Sequence, residues 1–125
     1  MNVDLKQYAW MDEYCLAMKG VTRDYQPDWD ATRYFVGGKM FVMVGREKNV
    51  RPIISIKLDP NYGQLLRERY PDIIPGYYLN KVHWISMYIE GAVPENVLRD
   101  MLDHSHKLVL ASLTKKLQME IEVGI

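Results

Sequence analysis

Cysteine is almost absent from this chain: Cys15 is the only one in 125 residues. A single thiol closes no intrachain disulfide and builds no thiolate metal cage, so the fold has to be held by its core. Long apolar runs are missing too. Nothing approaches the ~20 residues that cross a bilayer as a helix, and the N-terminus is polar and acidic, unlike a secretory signal. No membrane partner and a cytoplasmic location are therefore expected. A charge surplus is lacking as well, with 16 basic residues against 16 acidic ones and a pI near 6.8. That balance weighs against strong nonspecific attraction to polyanions.

Catalytic signatures are equally scarce. There is no phosphate-cradling glycine loop, no Gly-x-Ser-x-Gly elbow and no helical His-Glu-x-x-His. Gly37-Gly38 is not followed by Lys-Ser/Thr at P-loop spacing. Asp103, His104 and His106 with distant His83 can be drawn as a metal site. Two histidines two apart on a helix point away from each other, however, and capping or surface roles explain them better. No catalytic residue, metal or cofactor is assigned, and the chain is expected not to be an enzyme.

What is present is an ordinary globular composition, 48% hydrophobic and 26% charged, at a length that suits one domain over residues 1–125. The charge is unevenly spread. Residues 1–32 carry three cations against six carboxylates, a net of −3, while residues 33–51 carry five against Glu47, a net of +4. The second segment holds Arg33, Lys39, Arg46, Lys48 and Arg51.

Leu5, Tyr8, Met11, Cys15 and Met18 recur at helical spacing after a cap at Asn2 or Asp4, and Lys19-Gly20 stops that helix. Cys15 falls on its apolar face, where a buried, inert thiol is expected. Residues 21–30 contain Pro27 and several turn formers and read as a connection pinned to the body by Tyr25 and Trp29, a reading preferred over the sharper one of an acidic aromatic lid over a ligand. Thr32–Val36 and Lys39–Val44 are β-rich runs around Gly37-Gly38, a strong hairpin signal. Pro52–Leu58 alternates as a third strand, with Gly45–Arg51 projecting as a charged loop. Asp59-Pro60 opens a helix with Tyr62, Leu65, Leu66 and Tyr70 inward, ended by Pro71. Tyr77–Leu79 and Val82–Ile89 read as two further strands, with Trp84 and Tyr88 on the more open face. A helix from Pro94 through Leu102 and another capped by Ser105 follow, and residues 118–125 fit an edge strand as well as a helix. The order implies an α+β, two-layer sandwich: an antiparallel sheet of about five strands with helices on one face.

One cluster of side chains stands out. Tyr78, Asn80, Lys81, His83 and Trp84 gather aromatic and basic groups at one strand end, with Arg46, Lys48 and Arg51 at a hairpin end. Aromatic faces stack on bases and cations neutralise phosphates. Equally, Trp84 packs under the Tyr62–Tyr70 helix and the lysines serve only solubility. On the residues alone the second explanation is preferred.

Several segments together resemble the MmcQ/YjbR family of small bacterial proteins. They are Gly38-Lys39-Met40-Phe41, Ser55-Ile56-Lys57 with Asp59-Pro60, Leu66-Arg67-Glu68, Pro75-Gly76-Tyr77-Tyr78-Leu79-Asn80-Lys81, His83-Trp84, and Ser105 through Leu108-Val109 to Lys115-Lys116. The match spans roughly residues 31–117, and order and spacing carry it. Three positions depart from the family pattern: Tyr78 where His is frequent, His106 where Tyr is usual, and Thr114 where Pro is common. The resemblance implies a CyaY-like (frataxin-like) sandwich and a DNA-binding label resting on paired β-hairpin wings. Lys39, Lys57, Lys81, His83, Trp84 and Ser105 are its family-like residues here. Iron binding of the frataxin kind would need an acidic first helix, and Asp4, Asp12 and Glu13 are too sparse for it.

The expectation is thus a non-enzymatic protein binding double-stranded DNA through Arg33, Lys39, Arg46, Lys48, Arg51, Lys57, Tyr78, Asn80, Lys81, His83 and Trp84. The alternative is a protein- or small-molecule-binding module using an open aromatic sheet face around Tyr34, Trp84 and Tyr88. A monomer is the expected state.

Overall fold

A computed structural model describes residues 5–48 and 51–124, the side chains of residues 5–7 excepted. The expected cap at Asn2 or Asp4 lies outside them. The chain runs α1 (Leu5–Leu16), β1 (Val21–Gln26), β2 (Ala31–Val36), β3 (Lys39–Glu47), β4 (Arg51–Lys57), α2 (Pro60–Arg69), β5 (Ile73–Pro75), β6 (Trp84–Tyr88), α3 (Glu95–Ala111) and α4 (Lys115–Val123). Every neighbouring strand pair is antiparallel, in the order β1-β2-β3-β4-β6-β5. This is the α+β architecture that the patterning implied, with six strands in place of five.

Local chemistry explains the surest elements. Gly37 and Gly38 take φ +56 and +86 between β2 and β3, the left-handed pair that a two-residue hairpin demands. Asp59 caps α2 by accepting the N–H groups of Asn61 and Tyr62, and Pro60 occupies the first turn. Thr114 caps α4 through the Leu117 N–H. The core lies between one face of the sheet and the helices. Met11 and Cys15 of α1, Leu66 of α2, and Leu98, Met101, Leu102 and Val109 of α3 meet Tyr34, Val42, Val44, Ile54, Ile56, Ile85 and Met87. Each such aliphatic burial contributes about 1.5–3 kcal/mol. Cys15 is fully buried, and burial first, then Asp12 and Asp103, pushes its thiol up to about 12. It stays a protonated packing group.

Several expectations are corrected. Residues 21–26 form an edge strand and not a connection. Their sequence, Val-Thr-Arg-Asp-Tyr-Gln, carries little apolar signal, and ladder bonds to β2 with two ion pairs hold it: Arg23 to Asp12 at 2.7 Å and Arg33 to Asp24 at 2.6 Å. The short strand expected at Tyr77–Leu79 is instead Ile73–Pro75, and His83 lies outside the shorter β6. Arg46 and Arg51 sit in paired strands, opposite Pro52 and Glu47, so most of the charged loop expected at Gly45–Arg51 is sheet. Ser105 caps nothing. It lies inside one continuous α3, fully buried, donating to the Phe41 carbonyl at 3.2 Å. Leu65 faces out of α2, 64% exposed. The tail is helical through Val123; residue 125 lies outside the described set.

Candidate functional site

Alternation along the strands places two sets of side chains on opposite faces. Tyr34, Val42, Ile56 and Ile85 align in register on the helix face. Arg33, Met43, Ser55 and Ser86 align on the other, with Lys57 opposite Trp84 in the next row of that face. No helix among the described residues covers this second face, which was expected to be open and aromatic around Tyr34, Trp84 and Tyr88. Tyr34 is not on it at all. It is fully buried on the helix side, its hydroxyl donating to Asp12 and lying 3.4 Å from the Tyr8 hydroxyl.

Trp84 is on the helix-free face but only 8% exposed, so it packs neither under α2 nor against solvent. A loop over residues 76–83 folds back across it. Three contacts fasten that loop. The Gly76 N–H donates to the Trp84 carbonyl at 2.9 Å, the Tyr77 N–H to Ser86 Oγ at 2.9 Å, and Lys81 Nζ to the Gly76 carbonyl at 2.8 Å. Asn80 shapes the return turn, its Oδ1 accepting the N–H groups of Val82 and His83. Under the loop, Ser55 Oγ and Ser86 Oγ share a fully buried hydrogen bond of 2.7 Å.

Ser86 therefore serves both the loop and β4. Ser86→Ala is expected to cost about 1–3 kcal/mol in urea unfolding, because it strands a buried hydroxyl and a backbone N–H. Ser55→Ala with Ser86→Ala should cost less than the two single changes summed. Strict additivity would show that the pair does not act as a unit.

Where the loop stops, the helix-free face opens into a cleft of about 420 Å³. Ala31, Met43, Gly45 and Ile53 form its floor, Asp28 and Trp29 one wall, and Tyr78 and Leu79 the other, with Arg46 beside them. The floor is deep because Gly45 has no side chain and its neighbour Ala31 has only a methyl; a Cβ on Gly45 would reach the Ala31 Cβ at 3.6 Å. Trp29 and Tyr78, 58% and 70% exposed, are the large aromatics of the rim. Tyr78 holds φ +68, which costs a non-glycine residue of order 1 kcal/mol and recurs at ligand sites. Trp29 is braced by the Arg33 guanidinium, 5.4 Å from its ring centroid.

The expected basic residues do not gather. Lys39 lies at the start of β3 and bonds the Ser112 hydroxyl at 3.3 Å, at the C-terminal end of α3. Lys57 is at the far end of the β3–β4 ladder from Arg46 and Arg51. Arg33 makes a two-bond pair with Asp24 that holds the Asp24 carboxyl below its usual range. Arg51 stacks 3.5 Å over the Tyr88 ring and pairs with Glu90 at 3.3 Å. Tyr88 donates to Glu47 at 2.6 Å, which raises the phenol's pKa. Lys48 is exposed at the β3–β4 turn, and His83 is exposed at the end of the loop. Asn80, Lys81 and Trp84 are occupied in building the loop. His104 and His106 diverge, His104 Nε2 accepting the Asp59 N–H and His106 Nε2 meeting the Lys19 carbonyl.

Ala31, Met43 and Gly45 escaped the sequence reading, which reaches Trp29 only as an anchor of the 21–30 connection or as part of a lid. Only Gly45 carries a signal, as a glycine near the end of a β-rich run, where one often marks close approach or an opening.

Fold and cleft together define an α+β sandwich protein with one sheet face under helices and the other partly roofed by a loop, leaving a ligand-sized hollow. The YjbR family model matches residues 16–108, and the chain belongs to that family. It is 35% identical over 95 residues to the Escherichia coli K12 protein named "Uncharacterized protein YjbR", covering 76% of this chain and 80% of that one. It is 37% identical over 100 residues to "Uncharacterized protein YbdF" of Escherichia coli O157:H7, covering 80% of each. Among solved structures, the Deinococcus radiodurans protein DR2400, of family-model domain DUF419, superposes with a TM-score of 0.82 at 27% identity. That match covers 92% of this chain and 87% of the other. A Pseudomonas syringae protein at 20% identity shares the fold with a TM-score of 0.65, over 87% of this chain and 99% of its own.

Proposed function

We propose that this YjbR-family protein is a non-enzymatic binding module that takes a small molecule into the cleft on the helix-free sheet face. The observation that carries this is the cleft itself: about 420 Å³, apolar at the floor, with two exposed aromatic rings at the rim and, among the described residues, only Asp28 and Arg46 as charged groups in its lining. Small-molecule sites typically span ~300–1,000 Å³ and combine an apolar lining with few polar groups. Among the described residues no Ser, Thr, Cys or His lines the cleft, which favours binding over nucleophilic chemistry.

Duplex DNA binding is the second reading, favoured by the exposed Lys48 at the β3–β4 turn beside Arg46 and Arg51. It is weaker because Arg33, Arg46 and Arg51 each face a carboxylate: Asp24, Asp30 and Glu90. A phosphate would have to displace those partners, and the local positive field is largely cancelled.

Amide-shift mapping with indole, a flat generic probe, and separately with a short DNA duplex at low salt tests both. Indole is expected to shift the Ala31, Gly45 and Leu79 amides saturably, and Gly45→Leu, which fills the floor, should abolish the effect. Saturable duplex binding with a log–log salt slope of roughly −0.9 per phosphate contact, lost in Arg46→Ala with Lys48→Ala, would overturn the proposal in favour of DNA.

A further inference from the structure

The charges around the cleft do not cancel. Asp28 and Arg46 are the charged residues that line it among the described residues. By alternation with Val42 and Val44, the Arg46 side chain leaves β3 on the helix side, where it faces the Asp30 carboxylate at 3.8 Å. The other arginines at this end of the sheet are matched as well, Arg33 by Asp24 and Arg51 by Glu90. Lys81 is held at the Gly76 carbonyl. Glu47 and Lys48, at and just past the end of β3, cancel in sum. Asp28 is left over: it is exposed in the β1–β2 turn and forms no ion pair among the described residues.

We infer, resting on the ligand-binding proposal above, that the occupant is an arylalkyl amine: a flat, largely apolar ring with a short chain ending in a protonated nitrogen. Three observations select this class. The floor, Ala31, Met43, Gly45 and Ile53, offers aliphatic and thioether surface. These residues lie in paired strands, whose main-chain N–H and C=O groups point sideways to neighbouring strands and not up into the hollow. A ligand with several polar edges would bury them there without partners, at a cost in affinity. Trp29 and Tyr78, exposed on opposite walls, suit a flat ring between them. Asp28, beside Trp29, sets the sign of the remaining charge. An ammonium gains an ion pair there, whereas a carboxylate or phosphate meets a like charge.

Amide-shift titration of the intact protein at low salt uses tryptamine, tryptophol and indole-3-propionate, one ring with a cationic, a neutral and an anionic chain end. The Ala31, Gly45 and Leu79 amides are expected to respond to all three. Tryptamine should bind about twofold to fivefold tighter than tryptophol, the range of a solvent-exposed ion pair, and indole-3-propionate weaker than tryptophol by a similar factor. At about 1 M salt the three affinities should converge. Asp28→Asn should erase tryptamine's lead and Asp28→Lys should invert the order, with a dispersed amide spectrum showing that each variant is folded. Indole-3-propionate as the tightest probe of the parent protein overturns the ligand class and leaves cleft binding standing. So does tryptamine binding no tighter than tryptophol, or keeping its lead in both Asp28 variants. Cleft amides unmoved by all three probes overturn both.

Discussion

Tyr34→Ala is expected to lower the unfolding free energy by about 3–5 kcal/mol, the usual cost of removing a fully buried aromatic ring. Natural domains are stable by only ~5–15 kcal/mol, so this variant should be largely unfolded in modest urea. Tyr34 is fully buried on β2 beneath α1, and its hydroxyl reaches the Asp12 carboxylate. Asp12 also receives Arg23 of β1 through two bonds, at 2.7 and 2.9 Å. One carboxylate therefore ties the first helix to the strands β1 and β2. Burial first, then the bonds to Asp12 and Tyr8, raises the Tyr34 pKa far above its ordinary value, so the hydroxyl remains a donor throughout the usable pH range. Tyr34→Phe keeps the ring and loses only the bond, so it should cost about 1.5–3 kcal/mol, as for hydrogen bonds to charged groups. Urea unfolding followed by circular dichroism gives both numbers. Equal losses for the two variants would mean that the hydroxyl, and not the ring, holds the strand. An alanine variant within about 1 kcal/mol of the parent would remove the residue from the core's anchor points.

Gly76→Val should produce the largest effect on the cleft. A Cβ at Gly76 would lie 2.8 Å from Trp84 Cβ and 3.1 Å from the Trp84 carbonyl oxygen. The second of these is backbone in a paired strand and cannot step aside. The loop must lift, which opens the Gly76–Trp84 hydrogen bond, loosens the Tyr77–Ser86 contact and displaces the wall that Tyr78 and Leu79 provide. Overpacking of this kind costs about 1–3 kcal/mol. Occupancy of the cleft by indole should fall below detection while the far-ultraviolet circular dichroism is retained. Unchanged binding with unchanged stability would show that the loop tolerates displacement and does not build the cleft wall.

The loop also gives physical content to the family resemblance. Gly76, Asn80 and Lys81 recur in its motif, and here each has a structural role. Gly76 allows the close approach to Trp84, Asn80 caps the turn with its side chain, and Lys81 latches onto the Gly76 carbonyl. The aromatic and basic composition that suggested nucleic acid arises largely from building a roof over one half of a sheet. At the tip of that roof stands Tyr78, exposed and in a left-handed conformation, at a position where the sequence departs from the family pattern. The departure falls in the cleft wall.

By itself the sequence determined the pieces whose causes are local. Gly37-Gly38 needs only the twist of its two flanking strands, the alternation of Ile54, Ile56 and Leu58 needs only a buried face, and Asp59-Pro60 needs only the free N–H groups of a helix start. These local signals sufficed for the α+β class and the sheet's central hairpin. Tertiary structure decided whatever depends on partners distant in the chain. The edge strand at Val21–Gln26 has no apolar alternation to announce it and exists because β2 offers a ladder and Asp12 an ion pair. Ser105 looked like a cap because serine favours helix starts, but the Phe41 carbonyl, 64 positions away, gives its hydroxyl a buried acceptor inside α3. The direction of Trp84 followed alternation, but its burial did not, since the loop that covers it is fastened by pairings, Gly76 to Trp84, Tyr77 to Ser86 and Lys81 to Gly76, that only the folded chain brings together. Charge behaved the same way. A +4 stretch from Arg33 to Arg51 left a basic patch open, and folding brought Asp24, Asp30 and Glu90 to three of its arginines. Formal charge is additive along a chain, whereas the field a ligand meets depends on which charges the fold places side by side.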